Sequence, residues 1–351
     1  MWMKGEEYMP TAIFNSLEAG IIYAIMALGV YLSFRILDFP DLTVDGSFVT
    51  GGATAAILIV NGYPPIMATL VAIFAGFAAG VLTGLLHTKG GINPLLSGIL
   101  MMIALYSINL RIMLERPNIS LLSEETVISK IRELWSSLGL DQLMGNILGV
   151  IGLEGKIPVG WGVLLVMLCV TLLIKLLIDA FLKTEVGLAL RATGDNSGMV
   201  QSFSANTNNM KVLGLGISNA LVALSGALIA QYNGFSDVGL GIGMIVIGLA
   251  SVIIGEAVFG AKTIVRATLA VVCGAIIYRI IITLAMQVKF LGTGDMKLIT
   301  ALIVIIALVL PKILDKQQEK RRKQKRLSEL KLSMGNNSSS GGDHIATAKA
   351  D

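Results

Sequence analysis

The sequence predicts an all-α polytopic membrane protein with about nine transmembrane helices, within a range of roughly eight to ten. Three observations carry that prediction. Of 351 residues, 54% are hydrophobic and only 14% charged, where soluble domains carry about 25% charged residues, and mean hydropathy is +0.78. Apolar stretches near the ~20 residues that a span needs occur at 11–34, 47–61, 64–87, 94–113, 160–182, 211–232, 238–259, 264–288 and 296–314. Behind the last of them lies "KQQEKRRKQKRLSELK", a basic tail that supplies most of the net +4 charge.

The elements follow in order. The N-terminal "MWMKGEEYMPTAIFN" lacks the charged, apolar and small-residue sections of a signal peptide, so the first stretch is expected to stay as a span. Next comes "ILDFPDLTVDGSF" at 36–48, where Asp38, Asp41, Asp45 and Pro40 interrupt apolar sequence. Either this is a charged turn, or it is the break in a discontinuous helix beside a polar path. The shortness of the stretch at 47–61 favours a break, as does the backbone donor that Pro40 lacks. Abundant Gly (39) and scarce Pro (8) suit helices that approach closely at small residues. Residues 114–158 hold most of the inter-span charge and a weak apolar piece, "LMGNILGVIGL". They read as an external loop with short surface or re-entrant helices.

Lys and Arg in short loops set the orientation. The basic tail places the C-terminus in the cytoplasm. Counting back through the spans puts loop 183–210 there too, flanked by Lys183, Arg191 and Lys211, and leaves the N-terminus outside. The division is therefore a membrane domain, 1–314, and a basic, disordered cytoplasmic tail, 315–351. The tail's natural neighbour is anionic membrane lipid. Cys169 and Cys273 lie in apolar runs and read as small buried hydrophobes. With His87 and His344 the only histidines, a His-built metal site is not expected.

Sliding the chain on itself by 196 residues sets "FPD" at 39–41 over "FSD" at 235–237. Ile21, Ala24, Ala27, Leu28, Phe39, Asp41 and Ile57 then meet Ile217, Ala220, Ala223, Leu224, Phe235, Asp237 and Ile253. The two copies start on opposite sides of the membrane, which is the inverted-topology repeat found in many transporters. Asp41 and Asp237 would mark paired breaks, each capping or orienting the helix that follows.

Loop 183–210, "KTEVGLALRATGDNSGMVQSFSANTNNMK", could form a short helix pair on the surface. Its "TEVGLALRATGDN" resembles the cytoplasmic loop of permease subunits in the branched-chain amino acid and ribose permease superfamily of ATP-binding cassette importers. "DLTV" at 41–44, "INPLLSGILMMIAL" and "GLASVIIGEAVFGAKTIVRATLAVVCGAII" are similar to further segments, so the resemblance spans roughly residues 15–310. The first helix of ribose-type members is absent, and "IIGEAVFGAKT" departs from their Gly-Gly-rich segment. The resemblance implies a cytoplasmic coupling helix built on Glu185, Gly187, Arg191, Ala192, Gly194 and Asn196. It also implies a second copy of the chain, ATPase subunits that bind ATP and Mg, and an extracellular substrate-binding protein. The chain would need no cofactor of its own and no nucleic acid, and would sit in a bacterial plasma membrane. Among such permeases it looks closest to those for amino acids, including proposed aromatic amino acid importers. Arg191 can offer a bidentate fork to a partner, and Gly187 and Gly194 permit close approach.

Candidate residues of a translocation path are Asp41, Thr43, Asp45, Asn93, Asp237 and Arg279. Arg279 is the one cation deep in a predicted span, and it would pair with an acid such as Glu256, snorkel, or face a substrate carboxylate. Lys175 and Asp179 near the end of theirs would pair and snorkel. "GEAVFGAKT" misses the Walker A spacing by the inserted Ala261, and "GLGIG" at 239–243 lacks a βαβ context and suits an unwound segment. An ion-coupled secondary transporter that uses Asp38, Asp41, Asp45 and Asp237 is the rival reading; it would need no coupling helix. No nucleophile, acid–base pair or metal cluster points to an enzyme.

Overall fold

The computed structural model describes residues 4–139, 161–202 and 206–286, with isolated helical positions between 298 and 309. Among the described residues, 8 helices are long and apolar enough to cross a membrane. The expected ninth span, the piece "LMGNILGVIGL" and the tail lie outside the described residues.

Helix α1 (Lys4–Val30) is prolonged by a π-turn (Tyr31–Ile36). Helices α2 (Thr43–Val60), α3 (Pro65–Thr88) and α4 (Pro94–Ile112) follow. Strand β1 (Asn118–Ser120) then precedes helix α5 (Val127–Ser137). Beyond it come α6 (Gly162–Lys183), α7 (Glu185–Ser202) and α8 (Thr207–Asn233). Strand β2 (Phe235–Asp237) and a 3-10 turn (Val238–Gly241) lead into α9 (Met244–Phe259) and α10 (Ile264–Met286). β1 and β2 pair antiparallel, Ile119 opposite Ser236, and fasten the segment after α4 to the end of α8.

Helix α8 is the axis of the packing. Ser218 and Ser225 on α8 donate to the carbonyls of Gly29 (2.7 Å) and Ile22 (2.9 Å) on α1, so α1 and α8 run antiparallel. Helix α2 runs parallel to α8. Gly226 lies against the Phe48 backbone, Gly52 meets Ala230, and Gly51 lies against the Ala223 backbone. At Gly51 and Gly226 a Cβ would overlap the facing carbonyl oxygen, so the two backbones touch with no side chain between them. That is the small-residue packing of membrane helices, where close dispersion contact replaces the hydrophobic drive of water.

Helix α1 and helix α2 therefore run in opposite directions, and 37–42 is a chain reversal rather than a kink within one continuing helix. It is not a solvated turn either. Leu37 packs on Leu215 of α8, and Asp41 is fully buried. The reversal lies inside the bundle. Asp38 there takes a left-handed conformation, φ 50°, with its side chain exposed.

Two readings of the apolar spans are corrected. Cys169 is exposed and Cys273 half-buried, because both sit on outward faces of their helices. Lys175 and Asp179 do pair on α6 but do not snorkel: both are buried, and Thr268 of α10 donates to Asp179 (2.7 Å). A paired, hydrogen-bonded carboxylate is tolerable where a lone one is costly.

Candidate translocation site

Helices α2 and α9 both begin inside the bundle, and their N-termini meet. With 16 residues at ~1.5 Å each, α9 spans about 24 Å, short of the ~30 Å hydrocarbon core. Strand β2 and the 3-10 turn cover the rest of the crossing by running back along α2. Ser236 lies by Gly52, and Gly241 packs against the Asp45 backbone. The helix starts at Gly243, held at φ 89°, a conformation open to glycine at little cost.

No side chain of its own segment caps α9. Asp45, in the first turn of α2, reaches across to do so. Its two carboxylate oxygens accept from the amides of Gly243 (3.0 Å) and Ile245 (2.8 Å). One carboxylate thus serves the positive ends of two helices, an arrangement that stabilises both. Beside it lies a cavity of about 410 Å³, bounded by Asp45, Val49, Met102, Tyr106, Asn109 and Ile242 among others. Asn109 is held by Thr50, which donates to it (2.8 Å), and donates in turn to the Gly46 carbonyl (3.1 Å). The wall is mostly apolar with one carboxylate and one amide, which suits a small organic solute.

Asp41 and Asp237 stand at the two reversals and make the same bond. Asp41 accepts from the Thr43 amide (2.9 Å), and Asp237 accepts from the Gly239 amide (2.7 Å). Each carboxylate caps the turn that follows it. Their surroundings differ. Asp41 is sealed in by Asn219 (2.6 Å) while Thr43 bonds Thr83 (2.8 Å), so this network knits α2, α3 and α8 together. Asp237 is half-buried and meets Asn118 of β1 at 3.4 Å. Of the expected path residues, Asp45 alone lines the cavity. Asn93 is an exposed N-cap of α4 that accepts from Leu95 (3.0 Å). Arg279 does not meet Glu256, which Arg35 engages instead (3.0 Å). Its guanidinium lies 4.9 Å from the centre of the Tyr23 ring, and Tyr23 stacks on Phe48.

A family model described as "Branched-chain amino acid transport system / permease component" matches residues 12–309. The chain belongs to this permease family. The permease is 43% identical over 296 residues to the tyrosine transport system permease protein of Clostridioides difficile, covering 84% of this chain and 90% of that one. An uncharacterized protein of Rickettsia prowazekii is 36% identical over 70% of this chain and 78% of its own length. The ribose import permease protein of Haemophilus influenzae is 24% identical over 73% of this chain and 72% of its own.

Helix α7 of the permease carries the loop residues singled out from the sequence. It is two short helices joined at Asn196, whose backbone leaves the helical region (φ −157°, ψ 89°) and whose side chain caps the second piece through the Met199 amide (3.0 Å). The expected helix pair is therefore present. Gly187 lies against the Phe181 carbonyl and Gly194 against the Ile36 carbonyl, each leaving no room for a Cβ. Both glycines seat α7 on the bundle. Glu185 is exposed, while Arg191 and Ala192 are half-buried.

Sequence reasoning missed Asn219, Asn109, Thr83 and Gln231, which joins α5 to α3 by accepting from Val127 (2.9 Å) and donating to Thr69 (2.9 Å). The available signal was their position inside apolar spans, where a polar side chain needs a partner. In the permease, Asp41→Asn should keep the fold, since an amide oxygen still accepts from Thr43. Asp41→Leu should lower stability by about 2–4 kcal/mol by orphaning the Asn219 amide and the Thr43 N–H. Thermal unfolding in detergent reads this, and equal melting of both variants would contradict it.

Proposed function

We propose that the chain is the membrane subunit of an ATP-binding cassette importer for an amino acid, with solute passing the cavity beside Asp45. Two copies would work with ATPase subunits on the cytoplasmic side and a substrate-binding protein outside, in a bacterial plasma membrane. The C-terminus would be cytoplasmic and the N-terminus outside. Family membership and the tyrosine permease relative support the solute class. The observation that carries the mechanism is the contact between α7 and the first reversal. Leu190 of α7 packs with Leu37, Phe39 and Leu215, and Gly194 abuts Ile36. A push on α7 is thereby delivered to the segment that ends in Asp41 and Asp45. Helix α7 would be the coupling helix, with Glu185, Arg191 and Ala192 available to the ATPase surface and the glycines and Asn196 shaping the knob. Asp237 would act at the other reversal.

The ion-coupled alternative is less well supported. The oxygens of Asp41 and Asp45 face N–H donors, which compete with a cation for the same lone pairs. Arg191→Glu tests the proposal in proteoliposomes with the partner subunits. Transport per ATP hydrolysed should fall at least about tenfold, as for a reversed charge at an interface, with membrane insertion unchanged. Undiminished coupling would refute the assignment of α7.

A further inference from the structure

Where α1 finishes, the π-turn, α7 and the start of α10 surround a second cavity of about 430 Å³. Its charge balance is uneven. Arg35, Arg191 and Lys262 line it, against Asp195 as the one lining carboxylate. Glu256 engages Nε of Arg35 (3.0 Å), and the Nη groups remain as further donors. Arg191 and Lys262 have no ion-pair partner among the described residues. Tyr31, only 4% exposed, lines the same cavity. Thr263 turns its oxygen to the Arg266 amide (3.3 Å) at the start of α10, so the positive end of that helix also lies at this cavity.

We propose that this cavity binds a phosphate-bearing anion. Two guanidinium groups and an ammonium match phosphate oxygens bidentately and by charge, and Tyr31 in the same wall carries a hydroxyl that can donate as well. The volume falls in the range of small-ligand pockets. It leaves room beside a phosphate for an organic group. The wall also includes Ile36 and Ile264, and the site lies at the ends of two membrane helices. A phospholipid head group and a soluble phosphate ester share this chemistry. Bound there, the anion would tie α7 to α1 and α10.

The test uses the purified full chain in nanodiscs of phosphatidylcholine. Thermal unfolding is followed with phosphatidylglycerol added to the bilayer in one arm and with glycerol phosphate added to the buffer in another. Wild type should be stabilised, and an Arg35→Gln, Lys262→Gln double variant should not be. Lys89→Gln, an exposed lysine elsewhere, should respond as wild type. Stabilisation by phosphatidylglycerol alone assigns a lipid head group; stabilisation by glycerol phosphate as well assigns a free ester. Lys262→Gln alone changes an exposed loop side chain and leaves packing intact. It should weaken the half-maximal dose about fivefold, the worth of one cation near a membrane surface. Equal responses in wild type and the variants, or no response in wild type, would overturn the proposal.

Discussion

Gly226→Leu should leave no folded protein to recover from the membrane. A Cβ at this position would occupy the space of the Phe48 carbonyl oxygen, and the facing group is backbone, which no rotamer change can move aside. Overpacking a core with soft neighbours costs about 1–3 kcal/mol. Here α2 and α8 must separate, and Gly51, which meets the Ala223 backbone in the same crossing, would lose its contact as well. A loss above about 4 kcal/mol is expected, a large share of the stability of a typical domain. Even Gly226→Ala should lower the melting temperature visibly. Gly198→Ala is the control, because the neighbour its Cβ would meet stands at 3.5 Å, an ordinary contact. Size-exclusion profiles and thermal unfolding of the three variants measure the ordering, and a monodisperse Gly226→Leu protein would refute the close crossing.

Asp45→Leu should abolish transport while the protein still inserts. The substitution strips α9 of its acceptors and leaves the Gly243 and Ile245 amides unpaired in a part-buried site, at about 1–3 kcal/mol each. The N-terminus of α9 would then be free to shift from α2, and the wall of the cavity with it. Asp45→Asn should fall between leucine and wild type. Its oxygen keeps one bond, while its NH2 turns a donor toward the second amide. Uptake in proteoliposomes, read beside melting temperature, separates a damaged path from a damaged fold. Transport at the wild-type rate in the leucine variant would show that the cap is dispensable.

Much of this molecule was legible in the sequence because membrane helices write their lengths in hydropathy. The eight described spans end within a few residues of the expected positions, and the strands are short enough to have left no periodic signal. The pairing of Asp41 with Asp237 was visible as "FPD" over "FSD", and both do cap the turn after a reversal. The difference between them was not visible, since burial depends on Asn219 and Asn118, which lie far away in sequence. Arg279 shows the same limit. A lone cation in a span demands a partner, but the sequence could not say that the partner is the face of Tyr23 and that Glu256 belongs to Arg35. Asp45 was picked out as a charge in a polar break. That it caps a helix some two hundred residues away follows only from α2 and α8 running parallel.

The sharing of Asp45 between two helix starts bears on what kind of solute the cavity would admit under the proposed function. Each helix end carries about half a positive charge, so the two together roughly cancel the single carboxylate. The inner end of the cavity is then close to electroneutral although it holds an ionised group. If solute passes this cavity as proposed, a bare cation or anion would gain no net attraction there to offset the water it gives up. Selection among neutral solutes would then fall to the shape of the apolar wall around Met102, Tyr106 and Ile242.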